Sequence, residues 1–213
     1  MPCRPSSRKV ATKPLPTRLA EVVHATAPSV DPRRYRDTIG LFATGVVVVV
    51  GHTADGHFAM TANAVMSISL DPLLIAFCPG KKTNFSRHVA HLSGFSVNVL
   101  RDDQQALSTY FAGSWKEPTP PPFRFVPSRC GSRLEGSLAS IDCIPEHTAE
   151  MGDHWLVIGR VLDLHTGTPP HRPLLFFSGR YRAIAEAHST PAPDLANVHD
   201  EPARVFYDRW GDG

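Results

Sequence analysis

Residues 56–79 read Gly-His-Phe-Ala-Met-Thr-Ala-Asn-Ala-Val-Met-Ser-Ile-Ser-Leu-Asp-Pro-Leu-Leu-Ile-Ala-Phe-Cys-Pro. In this stretch small hydroxyl and amide side chains separate two apolar segments, residues 58–65 and 73–78, that have the composition of β-strands. Short side chains leave backbone N–H groups accessible, whereas bulky ones would block close approach. The stretch therefore suits contact with a flat ligand that carries polar atoms along its edge.

The segments around this stretch predict strands joined by short turns. Residues 46–50 are all valine, and a run of β-branched residues favours a buried strand. Asp55-Gly56 is a favourable hairpin dipeptide, and Asp71-Pro72 marks a second turn. Three strands in close succession favour an antiparallel barrel over a parallel, doubly wound sheet.

Local signals predict the remaining elements. Asp31 as N-cap and Pro32 at the first helical position predict a helix over residues 32–43. Thr83 as a cap predicts a second helix over residues 84–92, and a run of prolines predicts an irregular surface loop over residues 113–133. We also predict a short helix from Asp102 and strands over residues 95–100, 137–147, 154–164 and 173–177. Gly152-Asp153 is predicted to form the turn that connects the strands over residues 137–147 and 154–164.

Composition and charge limit the class of protein. The chain has 213 residues and a net charge of +2, which predicts one domain and no nucleic-acid partner, because clustered charge is missing. The longest apolar run is far shorter than a membrane-spanning helix, so no membrane anchor is expected. We predict a domain over residues 31–184, a disordered arm over residues 1–30 with a transit peptide as the alternative, and a mostly flexible tail over residues 185–213.

The cysteines and histidines predict neither a disulfide framework nor a metal site. The four cysteines form no Cys-x-x-Cys pair and lie far apart, which is typical of reduced thiols in a cytoplasmic protein. The eleven histidines include no His-Glu-x-x-His motif. His88 and His91 lie three residues apart on a predicted helix, where we interpret them as surface groups.

Several motifs resemble those of the flavin reductase-like family, the FMN-binding split barrels. Met60-Thr61-Ala62-Asn63 followed by Ser67-Ile68-Ser69-Leu70-Asp71-Pro72 looks like the family signature, and further matches stand at residues 95–100, 152–154 and 177–182. The resemblance covers residues 33–183. It implies a mainly β fold, an antiparallel Greek-key split barrel with flanking helices, that forms a homodimer.

The resemblance also implies an activity. Family members reduce FMN or FAD with NADH or NADPH and supply diffusible reduced flavin to a partner monooxygenase. Hydride transfer between stacked cofactors needs no protein nucleophile, and the chain shows no nucleotide-binding Gly-x-Gly-x-x-Gly motif, so the dinucleotide is expected to bind on the flavin. Two alternatives stay open: a flavin- or haem-binding carrier or sensor without reductase activity, and an oxidase with tightly bound FMN.

Individual site residues are likewise implied by the resemblance. His154, in Gly152-Asp153-His154, is expected to position the nicotinamide, with a merely hydrogen-bonded histidine as the alternative. Lys81-Lys82 beside hydroxyl groups is an expected phosphate site, with an exposed charged turn as the alternative. The expected contacts of the flavin and dinucleotide are Thr61, Ala62, Asn63, Ala64, Val65, Ser67, Ile68, Ser69, Cys78, Lys82, Thr83, Asn84, His88, Arg180 and Tyr181. Ordinary polar strand positions are the alternative for Thr61 and Asn63. Closure of the dimer is the alternative for Arg180 and Tyr181, and a core position is a further alternative for Tyr181.

Overall fold

The computed structural model describes residues 30–170 and 172–184, and the predicted arm and tail lie almost entirely outside them. The chain divides into two compact units, Met1–Leu41 and Phe42–Gly213. The described part of the first unit contains helix α1 (Pro32–Ile39). The described part of the second contains helix α2 (Gln105–Phe111), two 3₁₀ helices (Phe85–His91 and Asp102–Gln104), and strands β1 (Thr44–Gly45), β2 (Val47–Thr53), β3 (Gly56–Ala62), β4 (Val65–Leu70), β5 (Leu73–Phe77), β6 (Gly94–Val99), β7 (Phe125–Ser128), β8 (Gly131–Leu134), β9 (Ala139–Met151), β10 (His154–Thr166), β11 (Leu175–Phe177) and β12 (Arg180–Arg182).

Helix α1 begins as the sequence predicts but ends earlier. The Asp31 carboxylate accepts the backbone N–H of Arg34 at 3.0 Å, and Pro32 occupies the first turn. The helix ends at Ile39 because Gly40, a poor helix former, follows it, whereas the predicted helix extended to residue 43. In the part of the chain that the structure describes, no helix is long and apolar enough to cross a membrane.

Seven strands form one antiparallel sheet in the order β3-β2-β6-β9-β10-β5-β4. Tight hairpins join three pairs of neighbours. Thr53 pairs with Gly56, Leu70 pairs with Leu73, and Met151 pairs with His154. These registers confirm the turns that were predicted at Asp55-Gly56, Asp71-Pro72 and Gly152-Asp153.

The sheet curls so that its two edge strands approach each other. Strands β3 and β4 stand at opposite ends of the strand order, yet only Asn63 and Ala64 connect them. Two intervening residues span only about 11 Å, because consecutive Cα atoms lie about 3.8 Å apart. Met60 of β3 and Phe77 of β5 accordingly share one buried apolar cluster. Since β3 and β4 do not pair, the barrel is split between them, which confirms the mainly β, split-barrel prediction.

Strand β2 is buried on both faces, which explains its unbroken apolar sequence. Val47 and Val49 belong to the cluster inside the curled sheet. Val46, Val48 and Val50 belong to a second cluster on the outer face, which Leu107 of α2, Leu134 of β8 and Leu174 complete. A strand covered on both faces needs no polar alternation, so five consecutive valines are tolerated there.

Several predicted elements differ from the structure. The strand predicted over residues 58–65 ends at Ala62, because Asn63 and Ala64 form the connection to β4. Strand β4 itself was not predicted, because a register shift between Ser67 and Ser69 breaks its alternation. The predicted loop over residues 113–133 contains β7, which pairs with β8 as a hairpin, because its disruptive prolines mostly precede Phe125. The helix predicted over residues 84–92 is the 3₁₀ helix Phe85–His91. Strands β1 and β12 were not predicted.

Candidate functional site

Residues 78–84, here called the connecting segment, join β5 to the first 3₁₀ helix and bring several predicted site residues together. The backbone N–H of Cys78 donates to the carbonyl of Ala64 at 3.2 Å. Further along, Gly80 forms an isolated β-bridge with His154, and the N–H of Lys81 donates to the carbonyl of Asp153 at 2.9 Å. One short segment therefore contacts both the β3–β4 connection and the β9–β10 hairpin.

Gly80 is the point where His154 and Thr83 approach each other. A Cβ atom placed on Gly80 would lie 3.5 Å from Nε2 of His154 and 3.7 Å from Cγ2 of Thr83. Both side chains thus flank the same bare backbone position. A predicted phosphate-binding residue and the predicted nicotinamide-positioning histidine, which are 71 positions apart in the sequence, share one small region.

The hydrogen bond from His154 to its neighbour orients the imidazole. Nδ1 of His154 lies 2.7 Å from Oδ1 of Asp153. This bond, followed by the charge of His154, lowers the pKa of the Asp153 carboxyl, so the carboxylate is ionised at neutral pH. A proton on Nδ1 is then shared with the carboxylate, and Nε2 is left facing Gly80. His154 is about half exposed at 48%, so a ligand can reach its ring.

The connecting segment offers donors to an anion. Lys82 and Asn84 are exposed, and among the described residues no backbone carbonyl accepts the main-chain N–H of either one. The hydroxyl of Thr83 donates to the carbonyl of Gly80 at 2.9 Å and accepts the N–H of Ser86 at 3.3 Å, so it mainly holds the turn in shape. An ammonium group and accessible amides on a rigid turn suit a phosphate.

Residues 62–65, here called the seam, lie where the barrel is split. Asn63 and Ala64 are exposed, Val65 is half-buried, and Ala62 is buried against the barrel interior. Strands β3 and β4 are both sheet edges, and an edge strand presents backbone N–H and C=O groups that no neighbouring strand takes up. The seam therefore combines accessible backbone groups with one amide side chain, and its contact with a flavin stays a prediction.

The other predicted residues of β4 and the connecting segment lie along the same hairpin. Ser67 and Ile68 are exposed, and Oγ of Ser69 accepts the N–H of Asp71 at 3.2 Å within the β4–β5 turn. Cys78 is half-buried, and burial raises the pKa of its thiol. The thiol therefore stays protonated and acts as a small neutral contact.

The side chains of Thr61 and Tyr181 both form hydrogen bonds with the buried Ser108. The hydroxyl of Thr61 donates to the carbonyl of Ser108 at 2.6 Å, and the hydroxyl of Tyr181 lies 2.9 Å from Oγ of the same residue. Tyr181 also packs edge-on against Phe176, with ring centroids 5.6 Å apart. This contact network ties α2 to β3 and β12, so the side chains of Thr61 and Tyr181 have structural partners, and any contact of Thr61 with a ligand would use its backbone.

Two predicted residues lie elsewhere on the described surface. His88 stacks on Phe58 at a centroid distance of 4.2 Å, and both pack beside the barrel interior. Arg180 is exposed at the start of β12. The described contacts connect neither of them with His154 or with the connecting segment, and their roles stay predictions.

The motif at residues 95–100 forms a buried polar network. Asn98 is fully buried, and its amide nitrogen donates to the carbonyl of Val48 and to Oγ of Ser96, both at 2.9 Å. Its amide oxygen accepts the N–H of Leu134 at 2.9 Å and the hydroxyl of Ser140 at 2.8 Å. Asn98 thereby attaches the β7–β8 hairpin to the main sheet, so this motif stabilises the fold and need not contact a ligand.

Sequence reasoning missed the residues that act through long-range contacts. Ser108 gave no local signal, because a serine on a short helix is ordinary. Glu150 and Trp155 contact Lys81, at 2.9 Å from Nζ to Oε2 and 5.5 Å from Nζ to the ring centroid. Asp153 belongs to the Gly152-Asp153-His154 motif, and its position next to the histidine could have indicated the hydrogen bond between them.

Comparisons with known proteins agree on one family. The family described as flavin reductase like domain matches residues 39–185. The reductase subunit HsaB of a flavin-dependent monooxygenase from Rhodococcus jostii is 36% identical over 168 residues, which cover 78% of this chain and 85% of that protein.

Solved structures of similar proteins share the fold. The flavin reductase PheA2 in its native state matches with a TM-score of 0.69 at 36% identity, over 74% of this chain and 100% of that one. The NADH:FAD oxidoreductase SgcE6 from Streptomyces globisporus, in complex with NAD and FAD fragments, matches with a TM-score of 0.66 at 29% identity, over 76% of this chain and 100% of that one.

Proposed function

Because the chain belongs to the flavin reductase-like family, as its motifs predicted, we infer that it is an NAD(P)H-dependent flavin reductase. It reduces FMN or FAD and supplies the reduced flavin to a partner monooxygenase, as the named function of its relatives supports. The similar protein SgcE6 is an NADH:FAD oxidoreductase, which favours NADH as the reductant here.

The residues at the seam and in the connecting segment fit a flavin. The seam offers the amide of Asn63 and edge-strand backbone groups to the polar edge of the ring. Lys82 and the accessible N–H groups beside it offer positive charge to the phosphate. Gly80 keeps the space between His154 and Thr83 free of a side chain, and a Cβ there would touch both. An exposed polar surface of this kind suits a flavin that exchanges with solvent.

A bound flavin supplies the hydride acceptor, so the protein itself needs no nucleophile. The task of its residues is to hold two rings in contact and at the right orientation. Asp153 fixes the ring of His154, whose Nε2 is left to hydrogen-bond the reduced nicotinamide. Lys82 and the seam hold the flavin by its phosphate and by its polar edge. The approach of His154 and Thr83 at Gly80 is the observation that carries this assignment.

Steady-state kinetics of the purified full chain test the assignment. We expect NADH oxidation to rise and saturate with added FMN or FAD. Replacing His154 by alanine should raise the KM for NADH about tenfold with a smaller effect on flavin affinity, since one hydrogen bond contributes about 1–1.5 kcal/mol. The matched control is His91→Ala, which removes an exposed histidine of the first 3₁₀ helix. An unchanged KM in His154→Ala would contradict the role of His154.

We also propose that the protein is a homodimer. Met66, Ile68, Leu70 and Leu73 are exposed by 57%, 43%, 69% and 46% on the edge hairpin β4–β5. Exposed apolar side chains grouped on one edge hairpin are normally covered by a partner. A second copy of the chain is the simplest partner, and light scattering after gel filtration of the wild type and Ile68→Lys tests it. A monomeric wild type would contradict the dimer.

A cytoplasmic location completes the proposal. Cys78 and Cys143 are free thiols, which is typical of a reducing compartment. Cell fractionation tests this location, and recovery of the protein outside the cytoplasm would contradict it.

A further inference from the structure

The two adjacent lysines of the connecting segment have different surroundings. Lys82 is exposed, whereas the side chain of Lys81 is only 33% exposed. Nζ of Lys81 lies 2.9 Å from Oε2 of Glu150 and 5.5 Å from the centroid of the Trp155 ring. The charge of Lys81 is therefore already balanced within the chain, while that of Lys82 faces solvent.

The two partners of Lys81 form one cross-strand pair. Glu150 of β9 stands directly opposite Trp155 of β10, and the next pair toward the turn is Met151 with His154. Directly opposite residues point to the same face of a sheet. The ammonium group of Lys81 thus contacts both strands of the hairpin one step below the pair that carries His154.

The backbone of the connecting segment adds to this attachment. The N–H of Lys81 donates to the carbonyl of Asp153 at 2.9 Å, and the N–H of Trp155 donates to the carbonyl of Pro79 at 2.9 Å. The hairpin tip itself is open to solvent, with the Asp153 side chain 91% exposed. An exposed tip has few contacts of its own, so its orientation depends on the segment that lies beside it.

We propose that Lys81 is a positioning residue, which clamps the β9–β10 hairpin through Glu150 and Trp155 and thereby sets the place of His154 for the nicotinamide. This inference rests on the proposed reductase function. It separates the two lysines: Lys82 contacts the flavin phosphate, and Lys81 acts on nicotinamide binding through the hairpin.

The expected effect is moderate. An exposed ion pair and a cation–π contact each contribute modestly, so losing both should raise the KM for NADH about three- to tenfold. Flavin affinity should change less than about twofold, because the proposal assigns the phosphate to Lys82 and not to Lys81. The two partners act as a unit, so their effects should not add.

Lys81→Met, Glu150→Gln and the double variant test the clamp. Lys81→Met loses both contacts and should raise the KM for NADH about three- to tenfold with little change in kcat, whereas Glu150→Gln loses only the ion pair and should raise it less. The double variant should resemble Lys81→Met, and Lys81→Arg, which keeps the positive charge, should stay close to the wild-type value. Glu146→Gln is the matched control, because it removes an ion pair with Arg160 between the same two strands, away from the tip. The control should leave the KM unchanged.

Flavin titrations distinguish the clamp from the competing role, in which Lys81 binds the flavin phosphate directly. In that case Lys81→Met would weaken the binding of FMN but not of riboflavin, which lacks the phosphate, and Glu150→Gln would leave the KM for NADH unchanged. That pair of results would overturn the clamp.

Hydrogen–deuterium exchange separates a failed clamp from a failed function. Amides at residues 151–154 should exchange faster in Lys81→Met and Glu150→Gln than in the wild type, and equal rates would overturn the inference. If the wild type oxidised no reduced nicotinamide with either flavin, the reductase function would fail instead, whatever the exchange result.

Discussion

Replacing Asn98 by alanine should destabilise the fold without weakening flavin binding. Replacing Asn63 by alanine should weaken flavin binding without destabilising the fold. Asn98 is fully buried, and its amide takes part in four hydrogen bonds between 2.8 and 2.9 Å. Alanine leaves the N–H of Leu134 without its acceptor, and the hydroxyl of Ser140 keeps only Ser137 as a partner. A buried polar group that loses its partner costs about 1–3 kcal/mol. The sum for Asn98→Ala is about 2–4 kcal/mol.

Guanidinium unfolding monitored by circular dichroism measures this loss. In thermal unfolding of a chain of this size, a loss of about 2–4 kcal/mol corresponds to a Tm lower by about 5–15 °C. The matched control is Asn63→Ala at the exposed seam, where the free energy of unfolding should change by less than about 0.5 kcal/mol while the flavin Kd rises. An Asn98→Ala variant as stable as the wild type would refute the reasoning, and so would an Asn63→Ala variant that loses comparable stability.

Three further predictions concern the outer hairpin and the core. Burial lowers the pKa of His52 in the folded protein, where its Nε2 accepts the N–H of Ser132 at 2.7 Å. In acid the unfolded chain therefore binds more protons at His52 than the folded protein does. The free energy of unfolding should fall as the pH drops below about 6.5. His52→Gln should show a shallower slope in urea titrations at several pH values. Gly131 has a φ of +135°, and a Cβ there would clash with the imidazole ring of His52. Gly131→Ala should therefore cost more than about 2 kcal/mol in the same assay, and a neutral effect would refute the contact. Burial raises the pKa of the Cys143 thiol, so iodoacetamide should label it after unfolding and not in the native protein, as peptide mass spectrometry can check.

Local chemistry made much of the fold predictable. Five valines predicted the buried strand β2, and turn dipeptides predicted the three hairpins. Strand β4 was missed because it lies at an exposed edge, where Met66 and Ile68 give no burial pattern and a bulge interrupts the alternation. The β7–β8 hairpin was missed because the attachment of Leu134 to Asn98 joins residues 36 positions apart.

Motifs in the sequence named the candidate site residues, but they could not predict the contacts among them. Asn63, Lys82 and His154 were named from motifs, yet the register that brings Gly80 to His154 depends on how β5 pairs with β10. Thr61 shows the limit of strand periodicity. Both faces of the β2–β3 pair carry apolar clusters, so the sequence did not show that the Thr61 hydroxyl points to Ser108.

Simultaneous measurement of flavin binding and NADH turnover tests the central assignment most directly. FMN and FAD are titrated into the purified wild-type chain while flavin fluorescence is recorded, and NADH oxidation is followed at each flavin concentration. The seam and the connecting segment predict saturable quenching with at least one flavin, and an NADH oxidation rate that saturates over the same concentration range. Absence of both quenching and NADH oxidation with either flavin would contradict the assignment.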